Sequence, residues 1–216
     1  MKTDLQIQQD VMAELKWEPK VNAAHIGVEV KNGVVTLSGH VDSFAEKWNA
    51  EQATKRVTGV KVIAIELDVA LPGSSKKSDT EIAKAAMEAL KWNVYKIADL
   101  VSIKVEDGFI TLTGEVPWHF ERLSAENSLR YLTGVRGVYN HIIVKPAISV
   151  NTVKVDIERA LKRRAHEEAQ EITVSIHGDE VTLGGKIHDW KEKSLAIDAV
   201  WAVPGVKKVI DNTSFA

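Results

Sequence analysis

Asn32-Gly33-Val34-Val35-Thr36-Leu37-Ser38-Gly39 is the stretch that decides the fold. Asn-Gly is the pair that a two-residue hairpin turn with positive φ selects. After it, Val35, Leu37 and Val41 alternate with polar or small residues, the period of a strand with one buried face. The same phrase returns as Asp107-Gly108-Phe109-Ile110-Thr111-Leu112-Thr113-Gly114. It returns again, more loosely, as Gly178-Asp179-Glu180-Val181-Thr182-Leu183-Gly184-Gly185. The offsets are 75 residues from Gly39 to Gly114 and 71 from Gly114 to Gly185. A phrase repeated at such a period signals a repeat architecture.

Working outward, the same offsets hold without a gap from Leu15, Leu90 and Leu161 to Val60, Val135 and Val206. Ile7, Val11 and Leu15 lie four apart and predict an amphipathic helix at the start of the first copy. Ile82, Ala86 and Leu90 repeat it, as do Val153, Ile157 and Leu161. Ile26, Val28 and Val30 predict the outgoing strand of the hairpin, matched by Val101, Ile103, Val105 and by Ile172, Val174, Ile176. A second helix is expected from Ser43, with Ser43-x-x-Glu46 as a capping box and Ala50, Ala53 and Val57 inward; Ser78-x-x-Glu81 caps the second copy's first helix. Gly59, Gly134 and Gly205 fall where a left-handed helix terminus belongs. A last strand, such as Ile63-Ile65-Leu67-Val69, closes each copy, and the right-handed crossover makes it parallel to the strand before.

The expected class is therefore α+β: three tandem αββαβ modules, each a three-stranded mixed sheet packed on two helices. The modules span 1–71, 79–146 and 147–216, with a linker over 72–78. Modules of ~65 residues are marginal alone, so the copies are expected to pack on one another. Pro72-Gly73-Ser74-Ser75-Lys76-Lys77-Ser78 is polar, whereas Pro146-Ala147-Ile148-Ser149 is shorter and more apolar. Copies two and three should dock firmly, copy one should be freer, and proteolysis should begin near Ser74.

Gly33-Val34-Val35-Thr36-Leu37-Ser38-Gly39-His40-Val41, followed by a helix and Val57-Thr58-Gly59-Val60, resembles the BON (bacterial OsmY and nodulation) domain. The second copy carries it in Phe109 to Val116 and in Leu132-Thr133-Gly134-Val135. The third keeps Val203-Pro204-Gly205-Val206 but has Asp179 at the hairpin. The motif glycines are Gly33, Gly39, Gly59, Gly108, Gly114, Gly134, Gly185 and Gly205. The resemblance implies an αββαβ fold and a non-enzymatic binding role, on phospholipid surfaces or protein partners, often in osmotic or envelope stress. No catalytic residue is carried over.

Composition is ordinary for a globular chain: 216 residues, 44% hydrophobic, 27% charged, formal net charge -2. No copy carries the strong basic excess of a nucleic-acid scaffold. Cysteine is absent, which removes thiol catalysis and cysteine-based zinc sites. His25, His40, His119, His141, His166, His177 and His188 form no HExxH spacing, and no P-loop, GxSxG or GxGxxG motif occurs. No enzyme activity, cofactor or metal is expected. No apolar run approaches the ~20 residues that span a bilayer. The start lacks a secretory leader. The expectation is cytoplasmic if Met1 is the native start, and periplasmic if a leader has been removed.

The repeat also aligns the six tryptophans. Trp201 falls opposite Arg130 and Lys55, and Trp118 opposite Ser43 and Asp189. Trp17 and Trp92 fall opposite Arg163, Trp48 opposite Leu123 and Ser194, and Trp190 opposite His119 and Phe44. Rings at places that tolerate charge point to partly exposed aromatics, for lipid or partner contact or for sealing the copies together. The candidate surface is Trp118, His119, Phe120 and Arg122, with an outward Trp201. Lys162, Arg163 and Arg164 offset a helix dipole or bind an anionic headgroup. Partners are thus an anionic phospholipid surface or protein clients. A structural scaffold and a holdase-type chaperone are the alternatives, and oligomeric state is left open.

Overall fold

The structure is a computed structural model and describes residues 2–93, 97–146 and 172–216. The first copy runs α1 (Asp4–Trp17), β1 (Ile26–Lys31), β2 (Val34–Val41), α2 (Phe44–Lys55) and β3 (Val62–Val69). The second runs α3 (Asp79–Asn93), β4 (Val101–Glu106), β5 (Phe109–Val116), α4 (His119–Leu129) and β6 (Gly137–Val144). The third shows β7 (Ile172–His177), β8 (Glu180–Ile187), α5 (Trp190–Trp201) and β9 (Lys208–Phe215). The stripe Val153, Ile157, Leu161 and the cluster Lys162, Arg163, Arg164 lie outside the described residues.

Each sheet has its middle strand paired antiparallel to the strand before it and parallel to the strand after the helix. This is the topology that a right-handed crossover predicts. The first two turns place both central residues in the left-handed region: Asn32 at φ 52°, Gly33 at 75°, Asp107 at 51° and Gly108 at 80°. The first residue of each leading helix clamps its turn. Asp4 accepts from the N–H groups of Asn32 (2.7 Å) and Gly33 (3.0 Å), and Asp79 from those of Asp107 and Gly108 (both 2.9 Å). The third turn differs, as its sequence suggested. Gly178 alone is left-handed there, and Asp179 is instead paired with Lys207.

The second helices share one cap with an instructive exception. Ser43 and Asp189 accept from the N–H of Glu46 (3.1 Å) and Glu192 (2.7 Å). The glutamates reach back one residue beyond the cap, to the N–H of Asp42 (2.8 Å) and His188 (2.7 Å). In the second copy that place is Pro117, which has no N–H, so Glu121 takes the N–H of Trp118 instead (3.0 Å). The expected box at Ser78 and Glu81 is complete. Three separate cores result, one per sheet. Val35, Leu37, Val41, Ala50 and Ala53 fill the first, and the alanines let the helix lie close on the strands.

Candidate functional site

Trp17 and Trp92 end α1 and α3 at the same repeat position, and each follows a lysine. Their rings are 84% and 86% exposed. Geometry explains why. At 100° per residue, position 17 lies about 200° around the helix from Leu15, away from the buried Ile7-Val11-Leu15 stripe. Met12 and Met87, also equivalent, are exposed on the same two helices. Among the described residues neither Lys16 nor Lys91 has an ion-pair partner. The first helices of modules one and two thus end in a bare indole beside a lysine with no ion-pair partner among the described residues. The signal lies in the sequence, as a tryptophan off the apolar stripe in two copies, outside the surface expected on Trp118, His119, Phe120 and Arg122.

The candidate surface on α4 divides. Phe120 and Trp118 stand on the outside, 62% and 39% exposed. His119 and Trp201 do not join them. Their rings stack on each other, with centroids 4.0 Å apart and planes 5° off parallel. Trp201 packs against the second and third cores, so the expectation of an outward Trp201 is corrected. Its equivalent Arg130, expected to face solvent, is 7% exposed and lies over the ring of Trp48 at 3.8 Å. These positions are lost to solvent because another module covers them, and a comparison within one module cannot reveal that. Arg122 is half-buried. Together with burial, its charge holds the His119 imidazole well below its ordinary range, at about 4, burial being the larger cause.

The junctions follow one rule. Positions 44, 119 and 190 are equivalent, as are 55, 130 and 201. Phe44 packs on the second core while its helix neighbour Trp48 stacks on Arg130. His119 stacks on Trp201. Trp190 packs on the first core with Lys55 over its ring at 5.2 Å. Each second helix therefore meets, near its start, the end of the second helix of the next module, in the order one to two, two to three, three to one. This is a head-to-tail contact that closes on itself. Copy one accordingly touches both others, where the linkers had suggested that it would stand freer. The junctions are less well satisfied than the cores. His119 Nδ1, Arg130 Nε and Trp190 Nε1 are buried without a hydrogen-bond partner among the described residues, and a cleft of about 690 Å³ opens between α2 and α5.

Among the described residues no group of three His, Asp or Glu side chains is placed to hold a metal ion. No described helix is long and apolar enough to cross a membrane. The chain is 31% identical to the osmotically-inducible protein Y of Escherichia coli (strain K12) over 146 residues, 66% of this chain and 73% of that protein. Among solved structures it resembles CdsD, a structural protein of the type III secretion system of Chlamydia trachomatis. That match has 15% identity and a TM-score of 0.27, and covers 99% of this chain and 93% of the other. The family profile described as BON domain matches residues 3–70, 78–146 and 149–216. Those three matches take in nearly every residue, and they coincide with the three sheets and with the repeated hairpin and helix-end glycines; the chain belongs to the BON domain family.

Proposed function

We propose that this protein is a non-enzymatic binding protein that attaches to anionic phospholipid surfaces through the ends of its first helices. The carrying observation is the pair of bare indoles, Trp17 and Trp92, at one repeat position, each beside a lysine with no ion-pair partner among the described residues. Indole rings favour the interfacial layer of a bilayer, where one edge is apolar and the other wet. Each neighbouring cation adds about 1 kcal/mol near an anionic leaflet. Lys162-Arg163-Arg164 occupies the matching place in the sequence of the third copy. Trp118 and Phe120 offer a second apolar contact. The relative named for osmotic induction supports a setting in osmotic stress.

Co-sedimentation with vesicles of phosphatidylglycerol and phosphatidylcholine tests this. Trp17→Ala with Trp92→Ala should lower partitioning at least about tenfold, and raising the salt should weaken it further. Trp118→Ala with Phe120→Ala measures the share of the α4 patch. Unchanged partitioning in both double variants would sink the proposal.

The scaffold alternative keeps a specific support, since Trp48, Trp190 and Trp201 are engaged at module junctions. It accounts for those three rings and leaves Trp17 and Trp92 without a role.

A further inference from the structure

The first module carries a groove beside its leading helix. It runs between α1 and β1, holds about 480 Å³, and is walled by Met12, Leu15, Val21, Ala23, Ile26 and Val28, with Lys16 at its rim. That volume lies within the ~300–1,000 Å³ of small-molecule sites. The repeat explains its origin. In the second module the equivalent place is filled by Ile97, which is 0% exposed and belongs to the core. In the first module that position is Asn22. Its side chain accepts from the N–H of Ala24 (3.3 Å) and lines the groove, while the neighbouring Val21 is only half-covered against the core. The backbone turn is shared: the carbonyls of Asn22 and Ile97 each accept from the N–H three residues on, at 3.5 and 2.9 Å. The two modules thus differ in what fills this position, and the neighbouring strand differs with it. Val101 is buried in the second module, whereas its counterpart Ile26 is left half-covered.

We infer that this groove takes one acyl chain of an anionic lipid, an inference that rests on the surface-binding reading above. The walls are apolar, so the occupant is apolar. The rim carries Lys16, a cation with no ion-pair partner among the described residues, so the end of the occupant that reaches the rim is anionic. The groove opens beside the exposed Met12 and Lys16 of α1, on another side of that helix from Trp17. A chain entering it replaces water on the half-exposed Ile26 and Val28 with hydrocarbon, which is favourable for each methylene buried.

Dodecyl phosphate, kept below its micelle concentration, probes the groove without a membrane. The parent protein should bind it saturably, one to one, and shift the Met12 methyl signal. Asn22→Ile should weaken that binding by about tenfold or more while still sedimenting with anionic vesicles and melting no earlier than the parent. Lys16→Glu should weaken binding of dodecyl phosphate but leave that of uncharged dodecyl maltoside unchanged. Equal affinity in Asn22→Ile and the parent would overturn the inference. So would a parent that sediments with vesicles yet shows no saturable dodecyl phosphate binding. Saturable binding without vesicle attachment would instead remove the surface-binding reading and leave the groove as a site for single amphiphiles.

Discussion

Gly114 sits at φ 141° where β5 pairs with the start of β4. A Cβ built on it would lie 2.1 Å from the carbonyl oxygen of Leu100. Gly39 repeats this, 2.1 Å from the carbonyl oxygen of His25. The obstacle is backbone in both, so no rotamer change relieves it, and the dihedral itself disfavours any side chain. Gly114→Ala should cost about 2–4 kcal/mol in urea unfolding. Gly33→Ala should cost less, because φ is 75° there but nothing lies within 4 Å of the added carbon. Equal costs would show that dihedral strain alone, and not the carbonyl contact, fixes the repeat's glycine. At this scale the sequence was highly legible. Turn residues, strand alternation and cap glycines act on near neighbours in the chain, and their recurrence in three copies separated signal from accident. The Pro117 exception was legible in principle too, since a missing N–H is written in the residue itself.

Elements meet at junctions, and the α4–α5 junction carries a titratable ring. His119 is half-buried against Trp201, and burial, then the nearby Arg122, hold its pKa at about 4, below the ordinary 6.5. The folded state keeps the ring neutral, whereas the unfolded chain takes up a proton as pH falls through 6.5. Stability from this site is therefore full above about 6.5 and declines as pH drops from there toward 4. The loss should be on the order of 1 kcal/mol, reduced by solvent on the exposed side of the ring. Urea unfolding at pH 7.5 and 4.5 should show the parent losing more stability than His119→Phe, which keeps a flat ring for the stack without a titrating group. An identical pH response in both proteins would detach His119 from the effect. Here the sequence spoke less clearly. It aligned Trp201 with Arg130 and Lys55 and took the position as solvent-facing, because charge usually marks a surface. Arg130 is charged and nonetheless buried, its guanidinium lying over the ring of Trp48. Planar cations stack on indoles, so a position that holds Trp in one copy and Arg in another was compatible with a junction all along. Only the neighbouring module distinguishes the two cases.

On the scale of the whole molecule, closure of the three contacts changes how the chain should melt. In a linear array of three, the loss of one junction would leave an end module without any neighbour. In a closed arrangement every module keeps a second neighbour. Modules of this size bury too little surface to be robust alone, so a module that loses both neighbours should unfold early. Module one meets its neighbours through Trp48 on Arg130 and through Trp190 with Lys55. Calorimetry should therefore show one cooperative transition for the parent, with calorimetric and van't Hoff enthalpies in agreement. Trp48→Ala alone should lower the midpoint and keep the single transition. Trp48→Ala combined with Trp190→Ala should split off an early transition holding about a third of the heat, since enthalpy scales with the number of residues unfolded. The cleft at the third junction predicts that Trp190→Ala alone costs less than Trp48→Ala. A parent that melts in resolved steps would mean that the modules touch without supporting one another. The outward-facing ends of α1 and α3 would then act as independent contacts rather than as parts of one rigid body.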